Sequence, residues 1–187
     1  MNYLELAGTI IGLIYLWLEY KASVYLWIAS VIMPAVYIVI YYQAGLYADL
    51  GINVYYVFAS VYGLICWMLG SKGNDEKKEE LKITHTPKKM YLPLTAVTAV
   101  LTYLIAQILI NFTDSNVPWA DSFTTALSVV AMWMLARKYA EQWLAWIVVD
   151  IVCTLLYVYK GLYFTSMLYA IYSVIAYFGY LKWKRMI

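Results

Sequence analysis

Long apolar runs alternate with short polar segments along the whole chain. We predict seven apolar spans, at residues 3–20, 24–42, 48–70, 91–111, 121–138, 142–159 and 163–182. Runs of this length, folded as helices, cross the ~30 Å hydrocarbon layer of a bilayer. Open sheets are excluded because lipid cannot satisfy the hydrogen bonds of their edges. The pattern therefore predicts an all-α membrane protein with seven transmembrane helices.

The connections between the spans are short except for Ser71–Lys89, which is polar and rich in charge. We predict that this segment is a solvated cytoplasmic loop, with its single histidine, His85, exposed. The predicted organisation is a first three-helix unit (1–70), the loop (71–90), a linker helix with an outer loop (91–120) and a second three-helix unit (121–187).

The distribution of Lys and Arg predicts the orientation. Of the 13 basic residues, 12 fall on one side of the predicted spans, and Lys160 alone falls on the other. Because basic residues are retained on the cytoplasmic side, we place the N-terminus outside and the C-terminus inside.

The two predicted units repeat each other at an offset of 116 residues without a gap. The identical positions are Trp17 and Trp133, Trp27 and Trp143, Tyr41 and Tyr157, Gly45–Tyr47 and Gly161–Tyr163, Tyr56 and Tyr172, Gly63 and Gly179, and Trp67 and Trp183. Both units start outside, so we predict a 3+1+3 layout of parallel repeats about an axis along the membrane normal, as transporters use. Chance coincidence in an aromatic-rich chain is the alternative.

Composition supports the membrane assignment. The chain is 65% hydrophobic and 13% charged, with a mean hydropathy of +0.69, whereas soluble domains are about half apolar and a quarter charged. The net charge of +2 does not indicate nucleic acid, because the basic residues lie in loops. Cys66 and Cys153 are interpreted as packing residues, and the first span, which lacks a basic leader, as a retained helix rather than a signal peptide. We find no metal-ligand set, nucleophilic triad or phosphate-binding loop, and so predict no enzyme activity, metal or cofactor.

Asp150 is the main candidate for ligand binding. It lies in the middle of the sixth span, where an ionisable group is costly and usually faces a cavity or a partner. Its repeat equivalent is Pro34, which predicts a kink or hinge and a freed backbone carbonyl in the second span. No Lys or Arg lies at this depth, so a cationic or hydrogen-bond-donating ligand would supply the partner. The alternative is a protonated acid hydrogen-bonded to a neighbouring helix.

Three polar residues are weaker candidates for the same site: Asn53, Gln107 and Thr154. Thr154 follows Asp150 by one turn, and hydrogen bonding between helices is the alternative for each of the three. Asp121 and Ser122 are interpreted as a cap that opens the fifth helix.

Aromatic residues are more numerous than interfacial belts require, with eight Trp and 21 Tyr. We assign Trp27, Trp119, Trp143 and Trp183 to belts near the span ends. An aromatic lining for a flat or cationic ligand is predicted from Trp143, Trp146, Tyr62, Tyr169 and Tyr172. Helix packing or lipid contact is the alternative for each of them.

The motif Trp143-x-x-Trp146-x-x-x-Asp150, followed by Tyr157-x-x-Lys160-Gly161-Leu162-Tyr163, resembles PnuC-type vitamin transporters. The resemblance covers nearly the whole chain. It implies a SWEET-like fold, a homotrimer in the bacterial inner membrane, and facilitated diffusion of an unphosphorylated vitamin that a cytoplasmic kinase then traps. Nicotinamide riboside is the family's default substrate. Asp150 replaces an Asn of the family motif and makes thiamine a competitor, since both vitamins carry a fixed positive charge.

The predicted mechanism places the vitamin between the two units, stacked on aromatics and paired with Asp150. Two other interpretations stay open at this point. One is the substrate-binding membrane subunit of a multi-component vitamin importer. The other is a seven-helix sensor, although a retinal-binding protein requires a lysine within a late helix and the seventh span offers only Lys182 at its end.

Overall fold

The computed structural model describes residues 3–44, 47–70 and 81–187, which form seven helices joined by turns and one isolated bridge. The helices are α1 (Tyr3–Tyr20), α2 (Tyr25–Ala44), α3 (Tyr47–Leu69), α4 (Lys88–Phe112), α5 (Pro118–Ala136), α6 (Gln142–Tyr159) and α7 (Tyr163–Lys184). Each predicted span coincides with one helix. By length and composition, four stretches of the described residues can cross a membrane: Gly51–Leu69 within α3, and the whole of α4, α6 and α7. The chain divides into two compact units, Met1–Leu81 and Lys82–Ile187.

In the first unit, α2 packs along α3 and α1 contacts α2. Pro34 lies inside α2. Because proline has no N–H, the carbonyl four residues earlier, that of Ser30, loses its helical donor. The hydroxyl of Ser60 on α3 donates to this carbonyl at 3.2 Å, and Ser60 is fully buried. The freed carbonyl predicted from the sequence is thus satisfied by a neighbouring helix.

In the second unit, the helices from α4 to α7 each pack on the next one along the chain. Helix α5 is at the centre, and its buried residues include the small side chains of Ser122, Ala126 and Ser128. Small residues allow neighbouring helices to approach closely. Helix α4, expected from the sequence to be a linker, packs along α5.

The same aromatic arrangement occurs in both units. In the first, the rings of Trp27 and Trp67 meet edge to face at 5.6 Å, and the indole of Trp27 fills the space beside Gly63. In the second, Trp143 and Trp183 meet edge to face at 5.8 Å, and a Cβ on Gly179 would lie 2.7–2.8 Å from the Trp143 ring.

The belt assignment of three of these residues is therefore wrong. Trp27, Trp143 and Trp183 have no exposed surface, because each ring packs against another indole within its own unit. Trp119, the fourth predicted belt residue, is 53% exposed.

The turns that precede α2 and α6 also match. Ala22 and Lys138 both adopt the left-handed conformation, with φ of 52° and 53°. Five backbone hydrogen bonds around Ala22 have counterparts 116 residues later. The first is Lys21 N–H to Trp17 C=O, which matches Arg137 to Trp133, and the last is Trp27 N–H to Val24 C=O, which matches Trp143 to Ala140.

The C-terminal end of the predicted cytoplasmic loop is docked on the turn between α5 and α6. Thr84 N–H donates to Lys138 C=O at 3.1 Å, and Ala140 N–H donates to Thr84 C=O at 3.0 Å. Glu141 then accepts hydrogen bonds from the Thr86 N–H and hydroxyl at 2.7 and 2.8 Å. Residues 71–80 lie outside the described part of the chain, so the prediction of a solvated loop is not tested there.

His85 combines exposure with a specific contact. Its side chain is 52% exposed, as predicted, and its Nδ1 lies 2.6 Å from a Glu141 carboxylate oxygen. Burial by itself would raise the pKa of Glu141, but the hydrogen bonds from His85 and Thr86 outweigh this effect and lower the pKa below its ordinary value.

Candidate functional site

Asp150 lies in the middle of α6 and is 6% exposed. Among the residues that the structure describes, none donates a hydrogen bond to its carboxyl group. A buried carboxyl without a partner is unusual, because removal of a charge from water is compensated in proteins by pairing or hydrogen bonding. The geometry therefore leaves Asp150 available to a ligand.

Two predicted tyrosines of α7 lie near Asp150. Tyr169 and Tyr172 are within electrostatic range of the carboxyl, and their rings are 5.8 Å apart. Tyr157, which the sequence did not single out for the site, stacks at a tilt on Tyr169, with the ring centroids 5.2 Å apart. These three rings form an aromatic cluster beside the acid, which we call the tyrosine cluster.

The two predicted tryptophans of α6 have different surroundings. Trp146 lies one turn before Asp150, and its indole N–H is buried without a hydrogen-bond partner. Trp143 is wholly buried against Gly179 and Trp183. This contact gives Trp143 a packing role. Its indole N–H is buried without a partner as well, so the two tryptophans differ in position and not in this respect: Trp146 is the one that lies a single turn from Asp150.

Thr154 makes one hydrogen bond within α6 and one to α7. Its hydroxyl donates to the Asp150 carbonyl at 2.7 Å, and its carbonyl accepts a hydrogen bond from the Ser166 hydroxyl at 2.9 Å. The hydroxyl proton of Thr154 is thus already used within α6, and its role in binding stays a prediction.

The remaining candidates lie on other elements. Gln107 is half-buried on α4, and α4 packs on α5 rather than on α6, so Gln107 is not brought beside Asp150 within this unit. Asn53 and Tyr62 are on α3 in the first unit, and each already has an interaction partner. Their role in binding stays a prediction, as does the role of Pro34 as a hinge.

A buried acid in the first unit was missed. Glu19 is 1% exposed near the end of α1 and shares a hydrogen bond with Tyr15, which is also bonded to Ser30 of α2. The signal was present in the sequence, since Glu19 lies inside the last turn of an apolar span. Its position two residues before Lys21 makes it look like part of the polar turn that follows the span.

Asp121 does not cap α5 as predicted. The helix begins after Val117 without a side-chain cap. The Asp121 carboxylate instead pairs with the Lys160 ammonium at 3.2 Å and accepts a hydrogen bond from Ser115 at 3.0 Å. It ties the start of α5 to the turn between α6 and α7.

No group of three or more His, Cys, Asp or Glu side chains that could hold a metal ion occurs in the described ranges. The two cysteines are free, with Cys153 buried and Cys66 half-buried. The described site thus combines one carboxyl group, an indole N–H donor and phenol rings. This set is suited to non-covalent recognition of a flat ligand.

Comparison with known proteins identifies the family. The model described as nicotinamide mononucleotide transporter matches residues 2–185. The nicotinamide riboside transporter PnuC of Escherichia coli K12 is 28% identical over 207 residues, which cover 98% of this chain and 85% of the relative. The riboflavin/roseoflavin transporter RibM of Streptomyces davaonensis is 27% identical over 180 residues, covering 96% and 83%. A crystal structure of the vitamin B3 transporter PnuC has the same fold, with a TM-score of 0.68 at 24% identity over 95% of this chain and 79% of that one. The chain therefore belongs to the nicotinamide mononucleotide transporter family, and it is a multi-pass membrane transporter, not an enzyme.

Proposed function

We propose that this protein carries an unphosphorylated, cationic B-vitamin across the bacterial inner membrane by facilitated diffusion. Nicotinamide riboside is the first candidate, because the Escherichia coli relative is named for it. Thiamine is the second candidate, because it is also a flat cation. The relative named for riboflavin supports a range of vitamin substrates within the family.

The observation that carries this proposal is the buried Asp150 carboxyl, which accepts no hydrogen bond from the described part of the chain. A fixed cation on the substrate would supply the missing counter-charge. The Trp146 N–H, also buried without a partner, would bind an acceptor atom of the same ligand. A substrate with both groups would remove two desolvation costs at once.

The tyrosine cluster supports the same substrate class. Tyr157, Tyr169 and Tyr172 offer phenol faces to a planar ring, and ring faces attract cations. A phosphorylated vitamin would bring an anion close to Asp150, and like charges repel strongly in a medium of low dielectric constant. This argument favours the unphosphorylated form.

Binding measured by calorimetry on the detergent-purified protein tests the role of Asp150. We expect Asp150→Asn to weaken nicotinamide riboside and thiamine by roughly 10- to 150-fold, since a hydrogen bond to a charged group contributes about 1.5–3 kcal/mol. Riboflavin, which is uncharged, should bind equally to both forms. Asp114→Asn, at an exposed loop position, is the charge-matched control. If Asp150→Asn binds the cationic vitamins as the wild type does, the assignment of Asp150 fails.

Uptake by proteoliposomes tests the transport mode. Purified protein alone should equilibrate the vitamin without ATP or an ion gradient, and accumulation should require an enclosed kinase with ATP. Accumulation driven by an imposed ion gradient would contradict facilitated diffusion, and absence of flux would favour the subunit of a multi-component importer.

We further propose that α1–α3 and α5–α7 are two copies of a three-helix repeat, with the N-terminus outside and the C-terminus inside. The matched turns at Ala22 and Lys138 and the matched tryptophan pairs support the repeat. In a cysteine-free background, Asp114→Cys should react with an impermeant thiol reagent from outside and Lys184→Cys only from inside. The reverse pattern would overturn the orientation. We expect a homotrimer, which native mass spectrometry would show directly.

A further inference from the structure

A long groove runs along the second unit between α4 and α5, with a volume of about 600 Å³. Leu127 and Met134 of α5 are part of its floor, and Tyr91 and Thr98 are part of the α4 wall. Leu144 of α6 adds a third wall where α4 begins. The groove is separate from the Asp150 site, because none of its lining residues belongs to that site.

The walls of the groove are apolar in effect, although three threonines of α4 line it. The hydroxyls of Thr95, Thr98 and Thr102 donate to the carbonyls four residues earlier on the same helix, at 2.8–2.9 Å. Their donors are therefore used, and their methyl groups contribute to the surface. Of the 25 residues of α4, Ala106 alone is buried within the described structure. An occupant must be apolar and needs no hydrogen bonds along its length.

The length of the groove matches one leaflet of a bilayer. The lining residues of α4 extend from Tyr91 to Tyr103, about 18 Å at 1.5 Å per residue. Half of the hydrocarbon layer is about 15 Å thick. A single acyl chain from the leaflet at which α4 begins would fill the groove.

Two lysines, Lys88 and Lys184, lie around the end of the groove where α4 begins, and the Glu141 carboxylate is part of its lining there. Lys88 is exposed and precedes Tyr91 by three residues, so it lies on the same face of α4. The Lys184 ammonium lies 5.9 Å from the centre of the Tyr180 ring, and Tyr180 is within electrostatic range of Tyr91. Glu141 is at the same end, but its oxygens already accept the hydrogen bonds of the docked loop.

We propose that this groove binds an anionic phospholipid, with an acyl chain between α4 and α5 and the phosphate near Lys88 and Lys184. Pockets between transmembrane helices with basic residues at the cytoplasmic side bind anionic headgroups. The apolar walls, which span one leaflet, match the acyl chain of such a lipid, and the two lysines at the end match its phosphate. This site would set the stability of the transporter in a membrane and does not depend on which vitamin it carries.

Native mass spectrometry of the full-length protein tests the proposal, with phosphatidylglycerol and phosphatidylcholine of identical acyl chains as probes. We expect retained phosphatidylglycerol adducts and weaker phosphatidylcholine adducts. The double variant Lys88→Gln/Lys184→Gln should lose roughly 30-fold in its preference for phosphatidylglycerol, because each lysine near a charged lipid surface contributes about 1 kcal/mol. Lys89→Gln, on a different face of the same helix turn, is the control and should change nothing.

A second variant fills the groove. Ala99→Phe places a ring in the groove wall and should abolish the adducts of both lipids, whereas Ala96→Phe, exposed on α4 away from the lining, should retain them. Equal retention of the two lipids by the wild type would overturn the proposal, as would adducts that survive Ala99→Phe. A smaller assembly mass for Ala99→Phe alone would also overturn it and would identify the groove as a contact between copies of the chain. The lysine variants carry the test by themselves if Ala99→Phe does not fold.

Discussion

Substitution of Gly179 by alanine tests the packing of the second unit directly. A Cβ at this position would lie 2.7–2.8 Å from three atoms of the Trp143 ring, about 1 Å inside the normal carbon contact distance of 3.5–4.0 Å. The ring has no exposed surface and meets Trp183 edge to face, so it has little room to move. Overpacking of this kind costs about 1–3 kcal/mol or more, and we expect the upper end because the ring is rigid.

The helix propensity of alanine partly offsets this cost. Alanine is favoured over glycine in helices by about 0.8–1 kcal/mol, which leaves a net destabilisation of about 2 kcal/mol for Gly179→Ala. Gly51→Ala in α3 is the matched control, because no atom lies within 4 Å of its new Cβ. We expect that control to be neutral or stabilising by up to about 1 kcal/mol.

Thermal unfolding in detergent, followed by tryptophan fluorescence, compares the two variants. A double-mutant cycle with Trp143→Leu removes the ring and should eliminate the cost of Gly179→Ala, since the coupling is between these two residues. If Gly179→Ala is as stable as Gly51→Ala, or if its cost persists without the Trp143 ring, the reasoning about this contact is wrong.

Two further predictions concern hydrogen bonds. Glu141→Gln should destabilise the docking of Thr86 by about 1.5–3 kcal/mol, because the acceptor loses its charge. Since the folded pKa of Glu141 is lowered, the difference in stability from the wild type should be full above the ordinary pKa of 4.5 and should disappear as the pH falls through the folded pKa. Hydrogen exchange of the Thr86 amide measures this difference. A difference that persists at acidic pH would refute this. Ser60→Ala should lower the free energy of unfolding by about 1–3 kcal/mol, because it leaves the Ser30 carbonyl unsatisfied. In unfolding assays, Pro34→Ala should remove this loss, because it restores the backbone donor to that carbonyl. Equal losses in both backgrounds would exclude the Ser60 contact as the cause.

The sequence predicted the helices well because their signal is local. A run of apolar residues of sufficient length folds as a helix in lipid whatever it packs against, since the backbone has no other donors. The same argument identified Asp150, because a charge inside an apolar run is visible without any structure. The 116-residue offset is also the spacing between the two left-handed turns that the structure shows at Ala22 and Lys138.

Side-chain partners were predicted less well. Asp121 was interpreted from its position as a cap, yet it pairs with Lys160, 39 residues away along the chain. Three of the four tryptophans assigned to belts proved to be buried, because a position near the end of a span does not show whether it faces lipid or another helix.

The sequence by itself determined the membrane class, the seven helical segments, the family and the acid on α6, since each of these follows from composition, local periodicity or motif. Only the tertiary structure decided which polar groups are already satisfied. Ser60 satisfies the carbonyl freed by Pro34, and Thr86 and His85 occupy Glu141, whereas the Asp150 carboxyl accepts no hydrogen bond from the described residues. Hydrogen bonds join residues that are distant in the chain, so their presence or absence depends on how the helices pack.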